Sequence, residues 1–240
     1  ALGYCEFFYR AEGADIGFAP DDKPDQDTRK RLRLRNMAQL LTLNAIDGGF
    51  SPTQWQRSLY PAEHRTRIGV CHEGVDTRVF RPDPSASLKL PDGRVLKAGD
   101  PPIVTFVARD LEPYRGFPQA LEAAAKVAKR HPDALFVFVG GDGVSYGAPP
   151  PGGGSWKDYL LQSLDIPADR FLFPGVVPHG VLKQLFQISA AHIYLTYPFV
   201  LSWSVLEAMA CGALVIGSDT APMQEVLSSG RNGLLVPFFD

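Results

Sequence analysis

From residue 103 onward, short apolar runs alternate with stretches of helical periodicity, and this alternation constrains the fold more than any other feature. Residues 103–108 and 135–139 predict strands, and between them Phe117, Leu121 and Ala124 recur at helical spacing. Strands that alternate with helices form a parallel sheet through right-handed crossovers, with helices on both faces. Ligands of such sheets bind beyond the carboxyl ends of the strands.

The same alternation continues to the end of the chain. Predicted helices cover residues 156–164, 181–189, 204–210 and 223–228, and predicted strands cover residues 170–173, 192–197, 214–217 and 233–236. The sequence therefore predicts an α/β domain with a Rossmann-like parallel sheet covered by helices on both faces.

The first hundred residues have a different pattern. Residues 26–46 predict a helix with one apolar stripe, formed by Leu34, Met37, Ala38, Leu41 and Ala45. The basic run 29–35 at its start is read as a solvated helix face, with a patch for an anionic membrane or an acceptor as the alternative. Residues 50–53 predict a strand entering a turn, and residues 70–76 a strand entering a glycine loop. Residues 82–102, rich in Pro, Asp and Gly, predict a linker or a hairpin insert.

Composition excludes several classes of protein. A hydrophobic fraction of 45% with 21% charged residues is ordinary for a globular chain, and the net charge of −2 gives no overall attraction to nucleic acid or to acidic membranes. No run is long enough to span a bilayer. The three cysteines, Cys5, Cys71 and Cys211, are widely separated in apolar contexts, which predicts reduced core thiols in a cytoplasmic protein and no metal site.

The run from Thr196 to Gly212, TYPFVLSWSVLEAMACG, carries the main chemical signal. It predicts a strand end, a turn of small polar residues and a helix whose first turn holds Ser204 and Glu207. The start of a helix leaves backbone N–H groups unpaired and attracts anions such as a diphosphate. A carboxylate there can also accept hydrogen bonds from sugar hydroxyls. The alternative is a capped helix whose Glu207 faces water.

An ordered series of motifs extends this signal. Glu207 opens EAMACG, the segment 222–226 reads PMQEV, and the segment 230–236 reads GRNGLLV. From about residue 45 to 240, the chain resembles the GT-B retaining glycosyltransferases of family 4, also called group 1. The resemblance implies that residues 1–78 are a remnant of the acceptor-side N-terminal domain. It also implies that residues 79–240 are the C-terminal nucleotide-sugar-binding domain, truncated at its C-terminus.

The resemblance assigns roles to individual residues. Arg109 and Arg115 match the two cations that contact the donor diphosphate, with Arg115 in place of the usual lysine. The segment formed by Ser202, Trp203 and Ser204 matches the backbone that also contacts the diphosphate. The resemblance also assigns Glu207 to contact the ribose and the backbone of Val176 to contact the nucleobase.

One position departs from the family pattern. The first of two motif glutamates, which contacts the donor sugar in the family, would fall at position 199, and this chain has Phe199 there. The diphosphate and ribose assignments therefore carry over, and the sugar contact does not.

The resulting expectation is a retaining glycosyltransferase that uses a nucleoside-diphosphate sugar and neither a metal ion nor an organic cofactor. Its acceptor, a glycan, a lipid-linked molecule or a small molecule, is not identified by the sequence, and neither is the donor sugar or base. We expect a cytoplasmic protein, and leave open a peripheral contact with the inner face of the membrane through the missing part of the N-terminal domain. A fragment of this kind should bind donor without transferring sugar.

Two other functions are considered. A nucleotide-sugar binding module without turnover would share the same motifs. A phosphorylase-like enzyme with bound pyridoxal is disfavoured because the sugar-site segment, residues 196–240, contains no lysine.

Overall fold

The computed structural model describes residues 1–10, 14–90, 93–99 and 101–240. The chain forms two compact units that are each assembled from separate segments. The first unit comprises Ala1–Gly74, Tyr197–Ser202 and Asp219–Val226, and the second comprises Val75–Thr196, Trp203–Ser218 and Leu227–Asp240. The proposed domain division between residues 78 and 79 stays a prediction.

The elements follow one another along the chain as β1 (Leu2–Tyr4), α1 (Gln26–Ala45), β2 (Gly48–Ser51), α2 (Gln54–Leu59), α3 (Ala62–Arg65), β3 (Ile68–Val70), β4 (Ser87–Lys89), β5 (Val95–Lys97), β6 (Ile103–Asp110), a 3-10 turn (Pro113–Arg115), α4 (Phe117–Arg130), β7 (Leu135–Gly141), α5 (Trp156–Leu161), β8 (Phe171–Gly175), α6 (His179–Ile188), β9 (Ala191–Tyr194), α7 (Trp203–Ala210), β10 (Leu214–Ser218), α8 (Ala221–Gln224) and β11 (Leu234–Val236). Among the described residues, no helix combines the length and the apolar character needed to cross a membrane.

The first unit contains a parallel sheet of three strands in the order β1-β2-β3. Its core gathers apolar side chains from the strands, from α1 and from the segment that includes α2: Cys5, Phe8, Ala14, Leu43, Leu59, Tyr60 and Ile68. The helix α1 packs through Leu32, Asn36 and Leu43, which lie on one face. Both α1 and α2 therefore contribute to the core that covers this small sheet.

The exposed face of α1 is the apolar stripe identified in the sequence. Leu34, Met37 and Leu41 are 64%, 58% and 68% exposed, whereas Leu32 and Leu43 are buried. At about 100° per residue, Leu34 lies roughly half a turn around the helix from Leu32. The apolar stripe thus points away from the core of the first unit.

The second unit contains a six-stranded sheet in the order β11-β10-β9-β6-β7-β8, and every pairing in it is parallel. The chain builds outward from β6 through β7 to β8, then returns to the other side of β6 with β9. This confirms the predicted α/β fold class, a Rossmann-like sheet. It also creates a switch point between β6 and β9, where ligands of doubly wound sheets bind.

The helix α4 lies against this sheet through Ala120, Leu121 and Ala124, none of which is exposed. Its N-terminal residue follows Gly116, whose φ of +69° suits glycine and whose absent Cβ would lie 2.3 Å from the Cβ of Leu195. The close approach brings the start of α4 against the residue that follows β9. A separate antiparallel hairpin, β4–β5, confirms the hairpin alternative for the segment 82–102.

Three local predictions need correction. The segment 70–76 was predicted as a strand that enters a glycine loop; the strand, β3, already ends at Val70, and the rest of the segment is the loop, with Gly74 at φ +80°. The helix expected over residues 223–228 is the single turn α8, which ends at Gln224. Cys71 is exposed because it lies just beyond β3, whereas Cys5 and Cys211 are buried free thiols as expected.

Candidate functional site

Arg115 lies at the carboxyl edge of the sheet, beside the switch point, and neighbouring side chains fix its position. Arg109 is the exposed penultimate residue of β6, and Arg115 ends the 3-10 turn that follows the strand. The Nη1 atom of Arg115 donates to the Oγ1 atom of Thr196, just beyond β9, at 3.4 Å. Since β6 and β9 are the two strands at the switch point, the structure brings Arg115 to the place where a ligand of this sheet would bind.

The half-buried Arg115 is also held from the side of β7. Its guanidinium lies over the ring of Tyr146, 5.0 Å from the ring centroid, and Tyr146 stacks on Tyr114 at 5.7 Å between centroids. The fully buried carboxylate of Glu112 accepts hydrogen bonds from the backbone N–H groups of Tyr146 and Gly147, each at 3.2 Å. The loop after β7 therefore fixes the aromatic surface on which the guanidinium rests.

The glycine run 140–143 closes against the same strand end. The Oδ1 atom of Asp110 accepts from the backbone N–H of Gly143 at 3.2 Å, and the hydroxyl of Ser145 donates to its Oδ2 atom. A Cβ atom on Gly141 would lie 2.6 Å from Oδ1 of Asp110, so the loop can approach this carboxylate only without a side chain. The carboxylates of Asp110 and Glu112 thus hold the loop after β7 by hydrogen bonds, the first at residues 143 and 145 and the second at residues 146 and 147.

The helix α7 places Trp203 and Ser204 at its start, with Trp203 exposed and Ser204 half-buried. Ser202, the residue before the helix, is half-buried and belongs to the first unit. Glu207 is the fifth residue of α7 and so lies in the second turn, not the first turn as expected. The backbone N–H groups at the helix start and the carboxylate are therefore separated by about one turn of helix.

Glu207 does not face water. It is only 9% exposed, and its Oε1 atom lies 2.9 Å from Nε2 of His179. The alternative of a solvated carboxylate is therefore wrong. A buried carboxylate stays stable when hydrogen-bond donors surround it, and His179 supplies one.

His179 was not identified from the sequence. It begins α6 four residues after Gly175 at the end of β8, and its ring contacts the buried Phe80 at 4.9 Å between centroids. Val176, the residue proposed to meet the nucleobase, is 77% exposed just before this helix. The local signal that could have identified it is a histidine at a predicted helix start, directly after Pro178.

Phe199 occupies the position of the missing glutamate in a buried setting. Its ring meets the ring of Phe7 edge-on, with centroids 6.1 Å apart, inside the first unit. Its backbone N–H donates to the carbonyl of Tyr197 at 2.8 Å. An aromatic side chain packed in this way cannot accept the hydrogen bonds that a carboxylate would accept from a sugar.

The described residues contain no group of three or more His, Cys, Asp or Glu side chains placed to hold a metal ion. At the carboxyl end of β6 and just after it, the structure places two cationic residues, Arg109 and Arg115, and two acidic residues, Asp110 and Glu112. Both carboxylates are engaged by the loop after β7, whereas Arg109 is exposed.

Two family models match the chain. Residues 92–240 match the model described as glycosyl transferases group 1, and residues 1–80 match the model described as glycosyl transferase family 4 group. The first of these matches covers more than half of the chain and includes Arg109, Arg115, Val176 and Glu207.

Curated relatives are of the same kind. The chain is 30% identical over 189 residues to a D-inositol 3-phosphate glycosyltransferase of Acidothermus cellulolyticus, an alignment that covers 76% of this chain and 39% of that protein. It is also 30% identical over 187 residues to an alpha-maltose-1-phosphate synthase of Mycolicibacterium smegmatis, covering 75% of this chain and 44% of that protein. The chain thus spans about two fifths of the length of these relatives.

Solved structures share the fold at low identity. A sucrose-phosphate synthase from Thermosynechococcus elongatus superposes with a TM-score of 0.68 at 22% identity, covering 92% of this chain and 51% of that one. Alr3699/HepE of Anabaena, solved in complex with UDP and glucose, superposes with a TM-score of 0.65 at 19% identity, covering 98% of this chain and 57% of that one. Together with the parallel sheet and the matched motifs, these findings show that the chain belongs to the family of group 1 glycosyl transferases and has a GT-B type of fold.

Proposed function

We propose that the second unit binds the nucleoside diphosphate of a sugar donor, and that the protein moves the sugar to an acceptor with retention of configuration. The observation that carries this proposal is Arg115, held at the switch point by Thr196 and Tyr146. A cation fixed before the substrate arrives stabilises negative charge without reorganising when that charge develops. In glycosyl transfer the charge develops on the leaving diphosphate.

The two arginines contribute differently to stabilising the charge of the diphosphate. Arg115 is half-buried and oriented by its neighbours, so it supplies a fixed fork for two phosphate oxygens. Arg109 is exposed at the end of β6 and supplies a second positive charge at the same strand end. Two cations can neutralise a leaving diphosphate in the way that a divalent ion does in other enzymes, so we propose a reaction without a metal ion.

The start of α7 completes the proposed contact with the diphosphate. Backbone N–H groups in the segment formed by Ser202, Trp203 and Ser204 are suited to phosphate oxygens because a helix start attracts anions. Glu207 is proposed to accept hydrogen bonds from the ribose hydroxyls, and the exposed backbone of Val176 to meet the base. The contact to the donor sugar is left without a residue because Phe199 is buried.

The proposal is tested by calorimetric titration of the chain with UDP, GDP and ADP. Changing Arg109 or Arg115 to Ala should weaken the tightest of these by roughly 1.5–3 kcal/mol, the range for hydrogen bonds to charged groups. Arg115→Lys should lose less, since it keeps the charge and removes the planar fork. Arg130→Ala, at the far end of α4, is the control and should bind as the unchanged chain does. Equal affinity in all four variants contradicts the assignment.

A binding module without turnover remains the second candidate, and the burial of Phe199 favours it because the sugar contact is missing. Acceptor-dependent release of nucleoside diphosphate, measured on the product of the complete reading frame, separates the two. Release supports the transferase, and the anomeric configuration of the product, followed by NMR, tests retention. Binding without release supports the module. The acceptor class, a glycan, a lipid-linked molecule or a small molecule, follows from which acceptor supports release.

We also propose that the first unit contacts an anionic membrane surface through α1. The exposed stripe that includes Leu34, Met37 and Leu41 is flanked by the exposed Arg31 and Arg33. An apolar face bordered by cations is the pattern of helices that lie in the membrane interface. The chain should co-sediment with vesicles of phosphatidylglycerol and phosphatidylcholine and not with phosphatidylcholine alone. Replacing Leu34 and Leu41 together by Ser should abolish this.

The control for the vesicle test is Val95→Ser, which removes another exposed apolar side chain, on the hairpin β4–β5. It should sediment with anionic vesicles as the unchanged chain does. Equal sedimentation with neutral and anionic vesicles, or with neither, contradicts the membrane proposal.

A further inference from the structure

We infer that His179 is a positioning residue that orients Glu207 toward the ribose of the donor. The inference rests on the proposed function, because it takes Glu207 as the ribose ligand. None of the motifs quoted from the sequence includes this histidine. The side chains come from two different helices, His179 from the start of α6 and Glu207 from the second turn of α7.

The contact occupies one of the two carboxylate oxygens. Nε2 of His179 lies 2.9 Å from Oε1 of Glu207, a normal hydrogen-bond distance. A carboxylate offers about four lone-pair sites on its two oxygens, so Oε2 stays available to accept from hydroxyl groups. A carboxylate fixed through one oxygen presents the other in a single direction. Two neighbouring ribose hydroxyls require that kind of alignment.

The histidine ring is itself held. It packs at 4.9 Å between ring centroids against Phe80, which is 4% exposed. The residue after Phe80 is tied to α6, because the side-chain amide of Gln187 donates to the carbonyl of Arg81 at 2.8 Å. The buried Phe80 therefore packs against His179, and His179 in turn contacts Glu207. Only the histidine of the three has a largely exposed side chain, at 66%.

The ionisable groups near the His179–Glu207 pair also support His179 as the donor to Glu207. Lys183 lies one turn after His179 on α6, and Cys211 lies one turn after Glu207, directly beyond the end of α7. Burial, followed by the nearby Glu207, raises the pKa of the Cys211 thiol to about 11, so this thiol is neutral at pH 7. Cys211 therefore adds no second negative charge beside the carboxylate, and His179 is the donor in contact with it.

The experiment compares a ribonucleotide with its deoxy forms. UDP, GDP and ADP are titrated first, and the tightest is then paired with its 2′-deoxy and 3′-deoxy analogues. In the unchanged chain we expect the analogue lacking the contacted hydroxyl to bind about tenfold more weakly, the loss of one hydrogen bond to a charged group. In His179→Ala the ribonucleotide should weaken to nearly the affinity of that analogue, while the analogue itself changes little.

Two further variants sharpen the test. His179→Gln keeps an N–H donor and should restore most of the ribose preference. Lys183→Ala removes the neighbouring charge and should leave the preference unchanged. Each melting temperature is measured alongside, and because the His179 side chain is mostly exposed, we expect His179→Ala to melt close to the unchanged chain.

Two results would overturn the inference. One is a ribose preference in His179→Ala equal to that of the unchanged chain. The other is tighter binding in His179→Ala, which would show that the histidine competes with the ribose for Glu207. If none of the three nucleotides binds the unchanged chain, the proposed function itself has failed, and that outcome differs from a histidine without effect.

Discussion

Two glutamates of this protein, Glu112 and Glu207, both have buried carboxylates, but the carboxylates have different partners. Glu112 is fully buried and accepts two backbone hydrogen bonds, which fix the loop after β7. Glu207 is nearly as buried, yet within the described part of the chain its carboxylate lies in hydrogen-bond range of a mostly exposed histidine and of no backbone N–H group. A carboxylate whose partners are all backbone groups is a structural element, because its loss leaves those groups unsatisfied. Because the carboxylate of Glu207 is not held by backbone groups in this way, we propose it as a ligand residue.

Glu207→Gln is expected to weaken nucleotide binding without a large loss of stability. The amide oxygen can still accept from His179, so the fold keeps its contact. A ribose that donates to a neutral oxygen gains less than one that donates to a carboxylate, so affinity should fall by about 1 kcal/mol or more. Calorimetry measures the affinity, and thermal unfolding measures the stability.

The matched control for this variant is Glu122→Gln, an exposed glutamate on α4. It should change neither measurement. An unfolded Glu207→Gln protein, or one that binds nucleotide with unchanged affinity, would show that Glu207 is a structural carboxylate.

Among the elements, α2 shows how a helix start is completed by a distant segment. Thr53 accepts from the backbone N–H of Gln56 at 3.0 Å through its hydroxyl, as a helix cap does. The first two N–H groups, of Gln54 and Trp55, donate to the carboxylate of Glu225 at 2.8 and 2.6 Å. The glutamate of the PMQEV motif therefore stabilises a six-residue helix that begins 171 positions earlier in the chain.

Glu225→Ala should destabilise the first unit by about 1 kcal/mol, the usual value for a lost helix cap. Glu225→Gln should lose less, because an amide oxygen can still accept from one of the N–H groups. Urea unfolding is followed by tryptophan fluorescence with Trp156 and Trp203 replaced by Phe in every protein compared, so that the signal comes from Trp55, whose indole N–H donates to the carbonyl of Pro198 at 3.2 Å. A midpoint in Glu225→Ala equal to that of the unchanged chain would show that water replaces the carboxylate without cost.

At the scale of the whole molecule, the sheet of the second unit contains a buried histidine, His192, whose imidazole is neutral in the folded chain. His192 lies in β9 at the centre of the sheet and is not exposed; its Nδ1 atom is 3.0 Å from Oγ1 of Thr105. The ring of Phe186 meets it edge-on at 5.1 Å. Burial lowers the pKa of His192 to about 3. The folded chain therefore holds this imidazole neutral over most of the pH range.

The stability of the protein should fall as the pH drops below the pKa of an unfolded histidine, about 6.5. Above that pH the imidazole is neutral in both states and contributes nothing to the pH dependence. Below it, only the unfolded chain binds a proton, so unfolding becomes easier by up to about 1.4 kcal/mol per pH unit until the pH nears the folded pKa.

The measurement is the urea midpoint at pH 7 and at pH 5, for the unchanged chain and for His192→Gln. The variant should be less stable at pH 7, because its amide does not reproduce the packing of the ring, and its midpoint should change less between the two pH values. Carboxylates with lowered pKa values, such as Asp25, Asp76 and Asp83, lose their contribution at lower pH and are common to both proteins. Equal pH dependence in the two proteins would contradict the role of His192.

The sequence alone determined the class of the fold and the identity of the motif residues. Alternating strand and helix patterns require a parallel sheet, because each strand must be followed by a crossover helix. The apolar face of α4 was predicted in the same way and is buried. These features depend on neighbours within one or two turns of the chain, so local periodicity is enough to specify them.

Only the tertiary structure decided the order of the strands, and with it the neighbours of each motif residue. Thr196 meets Arg115, 81 positions away, because β9 pairs with β6. His179 meets Glu207 because α6 and α7 contribute to the same unit, and the apolar stripe of α1 faces outward because Leu32, Asn36 and Leu43 pack inward instead. Such contacts join residues far apart in sequence. Their partners depend on chain topology and side-chain packing, which no local pattern of residues encodes.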